Sequence, residues 1–404
     1  MDSLRRRPAK QESFSLPARS AIIAHHEDYN VVLPPARPGQ WPDDRYLQKN
    51  RGGMSQPRIA QPKISVVILN YNGQEWLPRC FESLERQTIF PDLEVILTDN
   101  HSSDGSDGFA AAWLAKTGRG RVVQNGANLF YCGANNNGAA AANGEFVLFL
   151  NNDTWLEPDC LEKLYAETVN EGADCAAPAV LDYDDDTFQS GGDVGLDLFG
   201  LPTLRAPALR TQETFAAPGC SLLIKTDLFR KIGGFPPELL IYADETDLSW
   251  RVWIAGGKVV AVPAARLHHR GAAVVNPEGK TKTVESRTTE FKRFLANRNG
   301  ILYLLKNSQH VLLLLLIPHL LLLFTEAGVS LILTRRWSYI RKSYLSAILE
   351  AFRMHEHVRQ WRRRIHGFRQ RGDFWMLRFL RLRPSRWPEV KRLFKFGPPK
   401  VDAK

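Results

Sequence analysis

Short apolar runs alternate with amphipathic stretches along the chain from residue 63 onward. The mostly apolar run at 64–69 ends at the turn formers of 70–73, which predicts a buried strand followed by a turn. Residues 75–87 space their apolar positions along one helical face. The same alternation predicts strands at 93–98, 121–124 and 146–150, and helices at 108–116 and 133–143. Strands that alternate with helices indicate an α/β fold with a doubly wound, mostly parallel sheet.

The pattern becomes looser and more typical of β-structure after residue 175, with turn signals at Gly191-Gly192 and Pro218-Gly219. Helices are predicted at 226–232 and 245–255, and a last strand at 258–262. Doubly wound sheets bind ligands at the carboxyl ends of their strands. Polar clusters follow three of the predicted strands, and we therefore expect the site there. These clusters are 70–73, 99–106 and 151–154.

The two ends of the chain depart from this pattern. Residues 1–60 are rich in Pro, Arg and Gln and contain no apolar stretch long enough for a signal-peptide core, which predicts a disordered extension on a cytosolic protein. Residues 311–333 are Leu-rich and could span a bilayer, which takes about 20 residues, but Pro318, His319 and Glu326 interrupt them. An apolar segment at 309–334 is therefore predicted to be a membrane-spanning helix or a re-entrant or interfacial one. A buried helix of a soluble dimer is the alternative.

Composition fits one large domain or two ordinary ones, because 44% of the 404 residues are apolar. The five cysteines form no CxxC pair, so neither a zinc ribbon nor a disulfide framework is indicated. The net charge of +10 is concentrated at one end: residues 335–404 contain 20 Lys and Arg against 5 Asp and Glu, and the other 334 residues contain 33 against 38.

This basic tail also contains many aromatic residues, among them Trp337, Tyr339, Tyr344 and Trp361. Basic residues beside an apolar segment suit an anionic cytoplasmic leaflet, and interleaved Trp and Tyr would lie at headgroup depth. The tail at 335–404 is therefore predicted to be helical and to bind an anionic membrane surface. Nucleic acid is the alternative partner, which the neighbouring Leu-rich segment disfavours.

Acidic clusters after the strands are the candidates for chemistry. Asp99 could accept a hydrogen bond from the imide N–H of a pyrimidine base, or could close a local turn. Asn151, Asn152 and Asp153 supply one carboxylate and two amides, and such oxygen ligands suit Mg²⁺ or Mn²⁺ bridging a diphosphate. The same three residues are also a common turn sequence.

Three carboxylates lie at the start of the predicted helix at 245–255: Asp244 just before it, and Glu245 and Asp247 in its first turn. A single acid at a helix start is usually a cap or a partner of the helix dipole. Three acids exceed what capping requires, so one is available as a general base. His268 follows the last predicted strand and either packs in the core or completes the coordination of a metal held by Asp153.

Taken together, these segments resemble the family 2 glycosyltransferases, and within them the bacterial rhamnosyltransferase-like branch. The resemblance covers residues 64–308, including Arg298-Asn299, and its motifs occur in the order seen in the family. They are ISVVILNYNG (64–73), TDNHSSDGS (98–106), NLFYCGANNNG (128–138), LNNDT (150–154), PGCSLLI (218–224), GGF (233–235), DETDLSWR (244–251) and PAARLH (263–268).

The resemblance implies a GT-A fold over residues 61–308 and an inverting, metal-dependent transfer from a nucleotide sugar. It assigns the base-reading role to Asp99, the metal to Asp153 together with Asn151 and His268, and the general base to Glu245 or its neighbour Asp244. The family usually has Asp at the base position, so the choice between these two acids stays open. The chain also has Phe130-Tyr131 where the family has Gly-Phe. The remaining positions assigned to nucleotide-sugar binding are Asn70, Asn72, Asp104, Asn136, Asn152, Asp247 and Arg251.

We therefore predict a glycosyltransferase on the cytoplasmic face of a bacterial inner membrane, with Mg²⁺ or Mn²⁺ as cofactor. The predicted donor is a dTDP- or UDP-sugar, with dTDP-rhamnose favoured, and the predicted acceptor is a polyprenyl-diphosphate-linked glycan. A membrane tail supports a lipid-linked acceptor, because a soluble acceptor would not need it. One alternative is a nucleotidyltransferase, although residues 64–100 lack a Gly- and Lys/Arg-rich loop for a triphosphate. The other is a non-enzymatic protein that binds nucleotide sugars or nucleic acid.

Overall fold

The computed structural model describes residues 61–271, 287–382 and 400–402. The extension predicted to be disordered at 1–60 lies outside these residues, as does the part of the tail at 383–399.

A ten-stranded mixed sheet forms the centre of the molecule. Its first four strands are parallel neighbours in the order β4-β1-β2-β3. They are β1 (Ile64–Asn70), β2 (Leu93–Asp99), β3 (Gly120–Gln124) and β4 (Phe146–Asn151). Three of them are buried on both faces, which is why their sequences are continuous apolar runs. The register pairs Asn70 with Asp99, so the polar residues that end these strands lie at one edge.

Helices cover both faces of this parallel half. The helices α1 (Leu77–Glu85) and α2 (Ser106–Thr117) pack with Ile64, Val66 and Ile68 on one face. The helix α3 (Phe130–Ala141) packs with Val67 and Ile96 on the other. The alternate residues of β1 therefore enter two separate cores, as a doubly wound sheet requires.

The second half of the sheet is mixed. β11 (Ser221–Lys225) runs antiparallel between β4 and β6 (Cys175–Asp182), and β12 (Val259–His269) is parallel to β6. β12 is longer than the predicted strand, because pairing resumes after a register shift between Val262 and Arg266, where Pro263 has no N–H to donate. The elements are β5 (Thr154–Leu156), α4 (Cys160–Asn170), β6 (Cys175–Asp182), β7 (Phe188–Ser190), β8 (Asp193–Leu196), β9 (Pro202–Ala206), β10 (Gln212–Glu213), β11 (Ser221–Lys225), α5 (Thr226–Ile232), α6 (Asp244–Ile254) and β12 (Val259–His269).

Helices of the C-terminal third pack around α7, whose first turn is capped by the Thr289 side chain, which accepts from the Lys292 N–H. A short strand before α7 pairs with the last described strand, β14. The elements are β13 (Arg287–Thr289), α7 (Glu290–Asn307), α8 (Leu316–Thr334), α9 (Trp337–Ile340), α10 (Ser346–Arg353), α11 (His355–Phe368), α12 (Asp373–Met376) and β14 (Lys400–Asp402).

The predicted apolar segment forms a 3₁₀ turn, Leu312–Leu315, followed by α8. Within the described residues, the stretch Leu312–Thr334 is the one helical segment long and apolar enough to cross a membrane, with a mean hydropathy of 2.1. One face of α8 packs on the fold through His319, Leu323 and Ala327, and the imidazole of His319 bonds the Phe199 carbonyl at 2.8 Å. The opposite face is an exposed apolar stripe. We call Leu314, Ile317, Leu321, Phe324 and Ile332 the α8 stripe.

The described part of the basic tail packs against the sheet domain. Trp361 is 1% exposed, and Tyr339 and Tyr344 are also buried, so the prediction of headgroup depth is wrong for these three rings. Trp337 is exposed, and for this ring it stays a prediction. Arg362 donates to the carbonyls of Leu305 and Ser308, both at 2.7 Å. The carbonyls at the end of a helix lack partners within the helix, and here a guanidinium supplies them. Part of the positive charge is therefore structural.

Candidate active site

Asn70 ends β1 and joins the loops that follow β1, β2 and β4. Its amide nitrogen lies 2.9 Å from Asp99 Oδ1 and 2.8 Å from Ser106 Oγ, and its amide oxygen accepts from Asn152 at 3.0 Å. Gly73 packs against both amides, because a Cβ there would come within 2.1 Å of Asn152 Nδ2. Asn70 is buried, so it positions the loops of the site.

Asp99 closes the turn after β2. Its carboxylate accepts from the N–H of Ser102 at 3.0 Å and from the Ser102 hydroxyl at 2.6 Å. The structure thus contains the local turn that the sequence offered as one interpretation of Asp99. A contact between Asp99 and a nucleotide base stays a prediction.

Asp104 and Asn72 lie exposed at the rim of the same loops. Asp104 accepts from the Gln74 N–H at 2.9 Å and from Ser106. Partial burial raises the pKa of the Asp104 carboxyl, but the hydrogen bonds from Ser106 and Gln74 outweigh it and hold that pKa below its usual value. Asn72 accepts from the Ser103 N–H at 2.8 Å. Both side chains can reach a ligand at this edge.

Asp153 and His269 face each other beside the end of β4. The Asp153 Oδ1 and His269 Nε2 atoms are 3.4 Å apart, and the Asn151 amide lies 3.5 Å from the same nitrogen. A carboxylate, an imidazole and an amide oxygen are donor types that Mg²⁺ or Mn²⁺ accepts, so these residues fit a divalent ion. Burial lowers the pKa of His269, but neighbouring Cys220 and Asp153 outweigh it and hold that pKa well above its usual value.

His268 was predicted to share this ion and does not. Its ring stacks on Trp155 with centroids 3.7 Å apart, and its Nδ1 bonds the Asp182 carbonyl at 2.8 Å. Successive side chains of a strand point to opposite faces, so only one of the two histidines can face Asp153. The structure therefore does not bring His268 to Asp153 as predicted, and His269 faces Asp153 instead.

The Nε2 atom of His268 faces a second acidic group, 3.7 Å from Glu157 Oε1 and 3.9 Å from Asp186 Oδ1. Among the described residues these three form a cluster close enough to hold a metal ion. The Arg266 guanidinium pairs with both carboxylates at 3.2 Å. These carboxylates therefore already have a positively charged partner in the absence of a metal ion.

The two acids that open α6 differ in their access to solvent. Asp244 is 3% exposed, whereas Glu245 is half-buried and its carboxylate lies over Gly219, with Oε2 3.7 Å from the position of a Cβ there. Burial raises the pKa of both carboxyls, and the charge of Glu245 raises that of Asp244 further. A carboxyl with a raised pKa is the better general base near neutral pH. The geometry favours Glu245, because an acceptor hydroxyl can reach it.

A turn at Pro218 to Cys220 joins these two groups. Glu245 lies over Gly219, while the next residue, Cys220, neighbours His269 and accepts from the Asn151 N–H at 3.0 Å. Tyr131 holds the turn from below by donating its hydroxyl to the Gly219 carbonyl at 2.6 Å. The sequence comparison marked Tyr131 only as a departure from the family, and its structural role required the fold.

The chain before α6 is strained. Leu240, Tyr242 and Ala243 have φ angles of 64°, 73° and 61°, which side chains with a Cβ rarely adopt. The Asn299 amide of α7 holds this turn by lying 2.8 to 3.0 Å from the carbonyls of Leu239, Ile241 and Tyr242. Arg298 donates to the Glu238 carbonyl at 2.8 Å. These two residues position the acids of α6 without belonging to the site.

Asp247 and Arg251 were predicted to bind the nucleotide sugar, but both are 0% exposed. Arg251 pairs with Asp247 at 3.0 Å and donates to the carbonyls of Ile232 and Gly234. The other carboxylate oxygen of Asp247 lies 2.9 Å from Lys306 Nζ. Burial raises the pKa of Asp247, but Lys306 and Arg251 outweigh it and lower that pKa. The prediction for Asp247 and Arg251 is wrong, because they tie α6, α7 and the turn at Gly234 together behind the site.

Asn136 also has a structural role, because its side chain bonds the backbone of Phe235. Its amide donates to the Phe235 carbonyl at 2.7 Å and accepts from the Phe235 N–H at 2.9 Å. The side chain thus fixes the turn at Gly233-Gly234 against α3. It is half-buried, so contact with a nucleotide sugar stays a prediction.

Part of the chain matches a known family. Residues 65–233 match the family described as glycosyl transferase family 2. Glycosyltransferase GlyG of Streptococcus pneumoniae is 30% identical over 122 residues, which are 30% of this chain and 40% of GlyG. The O-antigen biosynthesis protein RfbC of Myxococcus xanthus is 26% identical over 232 residues, which are 54% of this chain and 18% of RfbC.

The chain spans less than half the length of these curated relatives. The crystal structure of S. aureus TarS 1-349 in complex with UDP superposes with a TM-score of 0.49 at 16% identity, covering 76% of this chain and 91% of that one. The predicted α/β architecture of the GT-A type, with an apolar C-terminal helix, is confirmed. Over residues 65–233 this chain is similar to glycosyl transferase family 2.

Proposed function

We propose that this protein is an inverting glycosyltransferase that uses Glu245 as its general base. The supporting observation is that Glu245 lies over Gly219, while His269, the partner of Asp153, contacts the next residue, Cys220, within the part of the chain that matches family 2. A proton acceptor and a cation site thereby flank the same turn. A metal-dependent, inverting transfer from a nucleotide sugar uses these two functions together.

The reaction follows from these positions. The Glu245 carboxylate takes the proton of an acceptor hydroxyl, and the acceptor oxygen attacks the anomeric carbon as the bond to the nucleoside diphosphate breaks on the opposite side. One in-line displacement inverts the anomeric configuration. Asp153, His269 and Asn151 would hold a divalent ion, which supplies positive charge to the leaving diphosphate. The loops joined by Asn70 supply the exposed amide of Asn72 and the carboxylate of Asp104 to the donor.

The acceptor that we propose is lipid-linked, and α8 supports it. One face of α8 packs on the fold through His319 and Leu323, which disfavours a helix surrounded by lipid on all sides. The exposed α8 stripe suits a helix that lies in the membrane interface instead. Exposed Arg335 and Arg336 follow α8 directly and would add attraction to anionic headgroups.

For the donor we propose dTDP-rhamnose, and for the location the cytoplasmic face of a bacterial membrane. The order and the sequences of the motifs support this donor, because they resemble those of the rhamnosyltransferase-like branch. The similarity to RfbC, which is named as an O-antigen biosynthesis protein, supports an acceptor in cell-surface polysaccharide synthesis.

A donor screen tests the proposal. The full-length protein is incubated with a set of dTDP- and UDP-sugars and a polyprenyl-diphosphate-linked acceptor, with Mn²⁺, with Mg²⁺ and with EDTA. We expect turnover of dTDP-rhamnose that depends on the ion and on the acceptor. Turnover of a UDP-sugar alone would correct the donor, and full turnover in EDTA would contradict the metal site. No transfer from any donor would contradict the proposed activity.

A further inference from the structure

A basic cavity of about 700 Å³ lies between the end of α7 and the helix α11. Four arginines, three histidines and Lys306 line it, and no acidic side chain is among the described residues that do so. Concave clusters of guanidinium groups favour phosphate, because several planar donors can converge on its oxygens. The composition of the wall therefore indicates an anion site that is separate from the donor site.

The basic groups of this cavity fall into two sets. Arg362 and Arg369 are fixed in the wall by hydrogen bonds to helix-end carbonyls, at 2.7 Å from Ser308 and Asn307 respectively. Arg363, His310 and His366 are exposed, and their side chains make no hydrogen bond or ion pair with the described residues. A rigid basic wall with unengaged donors at its mouth can take up a ligand anion without breaking existing bonds.

The cavity lies where the proposed membrane surface begins. His310, in its lining, directly precedes the apolar segment, and the α8 stripe starts four residues later at Leu314. Phe352 forms an apolar part of the lining and is 45% exposed. A helix that lies in the interface puts its ends at headgroup depth, where lipid phosphates are found.

We propose that this cavity binds the phosphate group of an anionic membrane lipid while the α8 stripe contacts the acyl chains. The proposal rests on the membrane association proposed above and adds a specific headgroup site to it. A terminal phosphate monoester offers three non-bridging oxygens to the arginines, whereas the phosphodiester of phosphatidylserine offers two and has an ammonium group beside them.

Vesicle binding tests this with two arginine variants of the full-length protein. Affinity is measured for phosphatidylcholine vesicles doped with phosphatidic acid, and with phosphatidylserine at the same surface charge. Arg363→Ser removes an unengaged donor of the cavity. Arg341→Ser is the matched control, because Arg341 is exposed, outside the lining and without a recorded side-chain partner among the described residues.

We expect the unaltered protein to prefer phosphatidic acid. Arg363→Ser should reduce the ratio of the two affinities by about tenfold, the effect of losing one charge-assisted hydrogen bond to the phosphate, and Arg341→Ser should leave the ratio unchanged. Equal binding to both lipids, or an equal effect of the two variants, would overturn the site but not the membrane association. Absence of binding to any vesicle would overturn both.

Two further arms identify the source of the anion. Inorganic pyrophosphate that binds through Arg363, without any lipid preference, would overturn the lipid assignment in favour of a soluble phosphate. A DNA duplex that displaces the protein from phosphatidic acid and loses affinity in Arg363→Ser would overturn it in favour of nucleic acid. Circular dichroism of both variants confirms that the fold is retained, as expected for exposed side chains.

Discussion

Replacing Asp247 by Asn separates a structural role from the binding role that its motif implies. Asp247 is the counter-ion of two buried cations, Lys306 at 2.9 Å and Arg251 at 3.0 Å, and all three side chains are 0% exposed. The Asn side chain keeps the size but removes the carboxylate that pairs with both positive charges. Breaking a buried ion pair from one side costs about 3–5 kcal/mol. We therefore expect Asp247→Asn to lower the free energy of unfolding by about that amount, which corresponds to a melting temperature lower by roughly 10 °C.

The assay is urea unfolding, followed by fluorescence at neutral pH, with two controls. Asp227→Asn removes a fully exposed carboxylate 3.8 Å from Arg230 and should leave stability unchanged. The double variant Asp247→Asn/Lys306→Met removes one of the stranded cations. It should recover part of the loss, with an interaction energy of about 1–3 kcal/mol between the two sites.

The effect depends on pH with a defined sign. The pKa of Asp247 is lower in the folded state than in the unfolded one, because Lys306 and Arg251 outweigh the effect of burial. Its contribution to stability is therefore complete above the unfolded pKa, about 3.9, and is lost as the pH falls through the folded value. The two proteins should differ fully at neutral pH and converge in strong acid. Normal stability of Asp247→Asn with weakened nucleotide binding would refute the structural role.

Three further outcomes follow from the site and from α8. His269→Ala should weaken the Mn²⁺-dependent part of nucleotide binding by at least about tenfold, whereas His268→Ala should not. Titration calorimetry with and without EDTA measures this part, and a larger effect of His268→Ala would support the assignment made from the sequence. Burial raises the pKa of Glu245, so the acid limb of the pH profile of kcat should lie above the usual pKa of Glu, which is about 4.3. Turnover should rise as the pH rises through this limb. A limb at or below the usual pKa would exclude Glu245 as the base. Leu321→Ser, on the exposed stripe, should reduce vesicle binding and leave the melting temperature unchanged, whereas Leu323→Ser, on the packed face, should lower the melting temperature; equal vesicle binding by Leu321→Ser and the unaltered protein would contradict interfacial docking.

Local signals in the sequence were sufficient for most elements of the sheet. The helix predicted at 226–232 matches Thr226–Ile232, because Gly233 follows with a φ of 96° and ends it. Parallel strands buried on both faces are apolar throughout, and this pattern needs no knowledge of partners. The polar residues that end β1, β2 and β4 are also predictable, because they directly follow these apolar runs.

The errors arose where the outcome depends on distant residues. The register shift in β12 between Val262 and Arg266 decides which histidine faces Asp153, and no alternation survives across it in the sequence. Asp247 has the local context of a helix start, while its partner Lys306 belongs to α7. The sequence alone does not distinguish the surface charge of the tail from structural charge such as that of Arg362, which bonds the end of α7.

The central claim is that Glu245 is the base of an inverting transfer, and the anomeric configuration and rate of transfer by two variants test it most directly. Turnover of dTDP-rhamnose, or of the donor that the screen identifies, is measured for Glu245→Gln and Asp244→Asn beside the unaltered protein, and the product is analysed by NMR. We expect an inverted product, a kcat about 10²-fold lower in Glu245→Gln with unchanged donor affinity, and a smaller loss in Asp244→Asn. A product with retained configuration, or the larger loss in Asp244→Asn, would contradict it.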